Sequence, residues 1–550
     1  MDKKNKQIVS IILFITTCTI FQSQIGYAQS AGSTYRPVWK PGATSEFEVG
    51  TQLRAWEIND EGMSAILDNL QTMAGINSVY MVVVMHKEHR PFQAPKFPHD
   101  PVRDFWDSED SRVSFFPDMG RYGAVKPLLS DFDWIRQTDW LKLMVDSCRA
   151  RGLAVGAEVS HFPIPTSIIQ EHPDWQQKKT DGTSWDNSRF CPNSQEPRTY
   201  IIALFGDLAE HYDLDYIQTC QHLFWNNDID KGGTCFCKYC IAEAKKTGFD
   251  LEAAGKILAV NKNAQPERDQ WMKFRAYSTT QFYKDISEEI KRVRKNPQCH
   301  LRYNDTYPYM NWNPRDLGMY LEDVSKYLGS VVTQDHQEQE GDSAETFKRR
   351  KKWLATDRQL IGPDMPLICG IAPRMKATPE LVKAGIKVAL EHPAKVNGLA
   401  LKHYDGASFG LLRAFKQGMI DAGVQGLTPT VGKEFEDMEL TNFTRINDFV
   451  EEWGVETDGL GKASYSFDHV SGNYDIRITY YDEKIGHSKV SLFVADKEKV
   501  CFYLDEDTDC WRSRLFKNMK VKKGDEIRVV AESDQGEKVM LDYIEYIKME

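Results

Sequence analysis

From residue 48 to about residue 426 the chain alternates brief apolar runs with longer stretches whose apolar residues recur at helical spacing. A short apolar run suits a strand buried on both faces, and apolar residues three and four positions apart suit a helix with one buried side. The runs that predict strands are Thr51–Trp56, Ser78–Met85, Leu153–Val159, Leu214–Cys220, His300–Asn304, Ser330–Thr333, Leu367–Ile371 and Gly398–Lys402. Between them the spacing predicts helices over Glu61–Ala74, Asp139–Arg151, Pro197–His211, Pro266–Lys295, Pro314–Tyr327, Ala344–Ala355, Pro379–Glu391 and Phe409–Ala422. Pro197, Pro266, Pro314 and Pro379 stand where a first-turn proline costs no hydrogen bond. Eight such units predict an α/β chain closing into a (β/α)8 TIM barrel over residues 48–426, with long insertions after the second and fourth strands. A doubly wound open sheet is the alternative, because strand order is not written in the sequence.

Past Leu427-Thr428-Pro429-Thr430 the period changes to two. Tyr474–Tyr480, Val490–Val494 and Glu526–Val530 alternate like half-buried strands, and no long helical pattern follows Asp448. Residues 427–550 are therefore expected to form an all-β sandwich.

At the other end, Met1–Lys6 is basic, Ile8–Phe21 is apolar but short for a membrane span, and Gly26-Tyr27-Ala28 puts small residues where a signal peptidase reads. Residues 1–28 read as a signal peptide cleaved after Ala28, and 29–47 as a polar lead-in. Lipidation at Cys18 is the alternative, although Thr17 is not the small residue usual before such a cysteine. The expected location is the periplasm, the medium or the cell surface of a bacterium, with no membrane span left after cleavage.

Composition narrows the partners. The chain has 41% hydrophobic residues and a formal net charge of −11 without a basic run, which argues against nucleic acid. Of the 11 cysteines, Cys148, Cys299 and Cys369 sit in apolar patterns and read as buried thiols, while Cys501 and Cys510 flank a loop and could pair. Cys235-Phe236-Cys237-Lys238-Tyr239-Cys240, with Cys191 upstream, supplies four thiolates for a closed tetrahedral zinc shell. Cys220 is the rival fourth ligand, and disulfide pairing among these cysteines is the alternative chemistry.

This cysteine cluster, together with Cys191-Pro192-Asn193-Ser194, resembles that of family 42 glycoside hydrolases and related glycosyl hydrolase barrels. The resemblance implies a TIM barrel, a structural zinc and a carbohydrate substrate. It stops at the catalytic pair: the family carries carboxylates at the ends of strands four and seven, where this chain has Gln218-Thr219-Cys220 and Ala372-Pro373-Arg374. The C-terminal segment resembles carbohydrate-binding modules of families 6 and 35 through Glu434-Phe435-Glu436, Gly472-Asn473-Tyr474-Asp475, Lys523-Gly524-Asp525 and Leu541-Asp542-Tyr543. That resemblance implies a jelly-roll sandwich with a structural calcium on Glu434, Glu436 and Asp542.

A barrel does its chemistry at the carboxyl ends of its strands. Polar candidates there are Glu57, His86, Glu158, His161, Gln218, His222, Asn304, Asp305, Asp335, His336, Arg374, His403 and Asp405. Glycoside hydrolysis needs two carboxyl groups, and Asp335 and Glu158 come first, followed by Asp305 and Asp405. His86, His161, His222, His336, Arg374 and His403 are candidate sugar contacts. Among the aromatics Trp56, Trp185, Trp225, Tyr307, Trp312 and Tyr404, the best stacking platforms are Trp225 and Trp312. Three functions fit: a hydrolase of polysaccharide or oligosaccharide, a non-catalytic glycan-binding barrel without the usual acid/base pair, and elimination chemistry with histidine bases. Imidazole and carboxylate on one rim could also hold a catalytic metal, though no ligand motif supports it. No organic cofactor is expected, and the sequence carries no sign of oligomeric state.

Overall fold

The structure is a computed structural model that describes residues 47–85, 88–92, 98, 103–108, 110–160, 163–185, 189–220, 223–224, 233–341, 343–429, 431–449, 452–534 and 536–549. The expected signal peptide, and His86, His161, His222 and Trp225, lie outside the described residues. Among the described residues no helix is long and apolar enough to cross a membrane.

Eight parallel strands close on themselves: β1 (Glu48–Leu53), β2 (Ser78–Met85), β3 (Ala154–Val159), β4 (Tyr216–Thr219), β5 (His300–Asp305), β6 (Ser330–Thr333), β7 (Leu367–Ile371) and β8 (Gly398–Leu401). Each pairs in parallel with its neighbour in sequence, and β1 pairs with both β2 and β8, so the sheet is a closed barrel and the open-sheet alternative is excluded. The first strand runs three residues earlier than its expected span. Ala55–Glu61 is helical, with Glu57 closing a capping box on Arg54, so the Ala55-Trp56 pair opens a helix where the apolar run suggested a strand. The expected helix Pro314–Tyr327 is a series of single turns, broken at Gly318, whose φ of 74° is left-handed.

Successive side chains of a barrel strand point alternately to the lumen and to the helices. The lumen set is fixed by its contacts. Arg302 on β5 reaches across to Glu48 on β1 in a buried bidentate pair, with Nη1–Oε1 at 3.0 Å and Nη2–Oε2 at 2.8 Å. Val332, Ile368 and Ala400 form a small apolar cluster of their own, apart from the large core between strands and helices. Gly156 faces Tyr216 so closely that a Cβ there would stand 2.2 Å from the ring.

The last barrel helix ends at Asp421, and the chain turns all-β at Val431. The sandwich has one sheet containing Thr444–Phe449, Glu452–Thr457, Val539–Lys548, Gly472–Asp482 and Cys510–Val521, and a second built around Leu460–Ser466, Glu526–Glu532 and Lys489–Val494. A separate apolar core fills the space between the sheets. The first sheet also packs against the barrel: Tyr481, Trp511 and Met540 belong to the barrel's core cluster. Trp511 is therefore an interface residue. Cys501 is exposed, Cys510 is buried, and both are free thiols.

Candidate active site and cysteine cluster

Strand parity decides which sequence candidates meet. Arg302 points to the lumen, so Asn304 does as well and Asp305 points to the helices. Val332 is in the lumen cluster, so Gln334 follows it and Asp335 turns outward. The contacts agree. Both oxygens of Asp335 accept from Arg350, at 2.9 Å from Nε and 2.6 Å from Nη2, and the same guanidinium binds Glu338. Arg350 and Asp335 are almost wholly buried. Asp305 accepts from the Tyr307 backbone N–H at 3.0 Å, and burial together with the charge of Asp357 pushes its carboxyl well above the usual range. Asp357 accepts from Thr333 Oγ1 at 2.5 Å, and burial pushes it up to about 7. The two carboxylates placed first and third in the sequence reading, Asp335 and Asp305, are thus engaged behind the strands.

Glu158 is on the lumen side. It is buried and accepts from Gln218 Nε2 at 2.5 Å, with the opposite oxygen of that amide left without a partner. Lys402, at the end of β8, donates to the Tyr80 hydroxyl. Burial lowers its ammonium to about 8, partly offset by the charge of Glu158. Cys220 also lies near Glu158; burial and that carboxylate push its thiol up. Asp405 is held by Arg54 Nη1 at 2.9 Å, and its backbone N–H donates to Glu57 at 3.1 Å. Arg54 also reaches His403 Nδ1, at 3.0 Å, and lies 4.9 Å from the centre of the Trp56 ring.

His336 and His403 meet edge to face, with ring centres 6.2 Å apart, and Tyr309 covers His336 at 4.9 Å. His336 Nε2 is 2.6 Å from Gln334 Oε1, whereas its Nδ1 is buried without a partner. Burial holds both imidazoles well below the ordinary histidine range, and the charges of Arg374 and Lys402 push them further down. Arg374 Nε donates to Gln339 at 2.7 Å. Trp312 and Tyr309 are exposed on the loop after β5. Trp56, Tyr307 and Tyr404 are buried and offer no face to a sugar. Arg54, Tyr80 and Gln334 were missed from sequence; the period of two running back from Lys402 and forward from Val332 was the available signal for the last.

Cys191, Cys235, Cys237 and Cys240 are buried, and their sulfurs lie within 4.8 Å of one another. Cys220 is outside this group, which settles the fourth position on Cys191. All four are free thiols. Backbone N–H groups of Lys178, Asn193 and Cys240 and the Asn193 side-chain amide donate to these sulfurs at 3.3 to 3.5 Å. Burial, with the neighbouring thiols, pushes Cys191 and Cys240 up, while hydrogen bonds from those neighbours pull Cys237 down, so a bare cluster ionises unevenly and a cation at its centre compensates the thiolates. The cluster can hold a metal ion. Among the described residues the four cysteines come together as a ligand group, and Asp542, one of the three residues of the expected calcium set, pairs with Arg413 of the barrel's last helix at 3.3 Å.

Comparisons with known proteins fit this geometry. Residues 132–382 match the model of the family described as Glycosyl hydrolase-like 10, so the glycosyl hydrolase-like resemblance holds across that part of the barrel. A curated relative, "Probable alpha-glucuronidase A" of Aspergillus terreus, is 33% identical over 140 residues, which is 22% of this chain and 15% of the relative's length. The glycoside hydrolase domain of PgaB (BpsB) from Bordetella bronchiseptica is 14% identical and covers 70% of this chain and 99% of its own, with a TM-score of 0.48. A family 35 carbohydrate-binding module from Clostridium thermocellum is 13% identical and covers 22% of this chain and 99% of its own, with a TM-score of 0.20.

Proposed function

We propose that this protein is a secreted glycoside hydrolase acting on a polysaccharide or its oligosaccharides, with Glu158 and Asp405 as the carboxyl pair and a structural zinc on Cys191, Cys235, Cys237 and Cys240. The observation that carries the reading is the lumen-facing Glu158 at the mouth of a barrel of glycosyl hydrolase-like type. A carboxyl group there can protonate a leaving oxygen or act as nucleophile, and the second carboxyl completes either route according to their separation. Asp405 is the other candidate carboxylate at this rim, and its Oδ1 is buried without a hydrogen-bond partner, available to a water or a sugar. Lys402, Asn304, Gln218 and His336 would bind and orient the sugar around these two groups. The zinc would tie the loop carrying Cys191 to the helix that begins at Lys238, without entering the chemistry.

One observation favours a second reading, a glycan-binding barrel without turnover: one oxygen of Asp405 is already taken by Arg54. Screening the purified protein against a plant and host glycan panel separates the two. New reducing ends that disappear in Glu158→Gln support hydrolysis; retention of a glycan with no product supports binding alone.

A further inference from the structure

Among the described residues, carboxylates at the mouth include Glu57, Glu158 and Asp405, and Arg54 pairs with the last of these. Asp335 and Glu338 are turned away onto Arg350. The cations there are Arg54, Arg374 and Lys402, whose charges all act on the His403 imidazole. Lys402 is 1% exposed, and among the described residues its ammonium contacts a phenol and makes no ion pair with a carboxylate. A buried ammonium is expensive without a counter-charge, and Glu158 offsets that cost only in part. His336 Nδ1, on a residue 9% exposed, is buried with no hydrogen-bond partner. Its other nitrogen is engaged by Gln334, so Nδ1 is the atom left to meet a ligand.

We propose, building on the hydrolase reading, that the sugar taken by this mouth carries an anionic group, a carboxylate or a sulfate, seated among Arg374, His336, His403 and Lys402. An anion at that place supplies the ion-pair partner Lys402 lacks, and a hydroxyl of the same sugar donates to His336 Nδ1, the acceptor nitrogen of a ring whose Nε2–H is given to Gln334. The anion also offsets the charges of Arg374 and Lys402 that, added to burial, hold both imidazoles low. Neutral sugars satisfy hydroxyl contacts at Gln218 and Asn304 but leave the Lys402 ammonium without an ion-pair partner.

Calorimetric titration of the full chain tests this with D-glucuronate, D-galacturonate and galactose 6-sulfate as anionic probes and D-glucose and D-galactose as neutral ones. The anionic probes are expected to bind at least about tenfold tighter, the ratio of a charge-assisted contact to a neutral one. Whichever of uronate and sulfate binds tighter names the group. Arg374→Gln, at a half-buried position, and Lys402→Met are each expected to bring that ratio toward one, and the Arg374 variant to do so with an unchanged melting temperature. Equal binding of anionic and neutral probes, binding of none of them, or a ratio unmoved in both variants overturns the inference. Uronate binding without cleavage of any glycan sinks the hydrolase reading and leaves this one standing; cleavage confined to neutral glycans does the reverse.

Discussion

At the scale of single residues, the decisive property is which side of a strand a carboxylate occupies. Asp335 and Glu158 look alike in sequence, each at the end of an apolar run, yet one lies behind the barrel and the other inside it. The information was present as parity, because Asp335 stands an odd number of positions from Val332, but using it required knowing that Val332 faces the lumen. The two residues therefore fail differently. Glu158→Gln should lower turnover on whatever glycan is cleaved by about a hundredfold or more, the usual order for losing general acid–base help, and leave the melting temperature nearly unchanged. Asp335→Asn should instead weaken folding, because Arg350 loses the partner that takes two of its hydrogen bonds in a buried site. Breaking such a pair costs about 3 to 5 kcal/mol. Denaturant titration beside an activity assay reads both effects, and a stable but inactive Asp335→Asn would return that residue to the catalytic list.

Elements were more legible than residues. β2, β6 and β7 occupy their expected spans, since short apolar runs bounded by polar turns leave little room to slide. β1 did not, because the Arg54–Glu57 capping box overrode an apolar pair that continued the strand pattern. The cysteine cluster was readable from spacing, whereas one N–H donor that lines it comes from Lys178, on a segment with no motif of its own. That segment and the start of the helix Lys238–Lys246 are joined directly by the backbone bond from Phe236 N–H to Lys178 O, at 2.9 Å. A metal in the cluster thus fixes one loop against one helix. Freshly purified protein should contain about one zinc per chain by elemental analysis. Cys235→Ser or a strong chelator should lower the melting temperature and expose this region to protease while the barrel persists. Zinc-free protein with these thiols in disulfides would end the assignment.

On the scale of the whole molecule, the barrel and the sandwich were each legible from the period of their apolar residues, but the contact between them was not, because beside Tyr481, Trp511 and Met540 it uses polar groups that sequence reads as surface. Arg477 pairs with Glu545 and donates to Asp68 O at 3.1 Å and Thr72 Oγ1 at 2.6 Å on the barrel helix Met63–Met73. Ser513 Oγ donates to Asn69 Oδ1 at 2.7 Å, Asn69 Nδ2 donates to Tyr404 at 3.1 Å, and Tyr404 donates to Glu61 at 2.7 Å. Separated from the barrel, the sandwich would expose Tyr481, Trp511 and Met540, so it should melt lower when expressed by itself than within the full chain. The contact should also respond to pH through Glu61. Burial pushes its carboxyl from 4.5 to about 7, outweighing the attraction of Arg512, while Tyr404 pulls it down and Asp60 and Glu506 push it up. A carboxyl whose folded value is raised prefers the proton in the native state. Its contribution is complete below the unfolded value and is lost as pH climbs through the folded one. Between pH 4.5 and 7 the loss approaches about 3 kcal/mol at most, by the usual conversion of pKa shift to free energy. Glu61→Gln keeps the shape and removes the titration, so its melting temperature should pull ahead of the parent's as pH rises across that window. Parallel curves for the two proteins from acid to neutral pH would show that Glu61 stays charged at the interface and that Arg512, rather than burial, governs it.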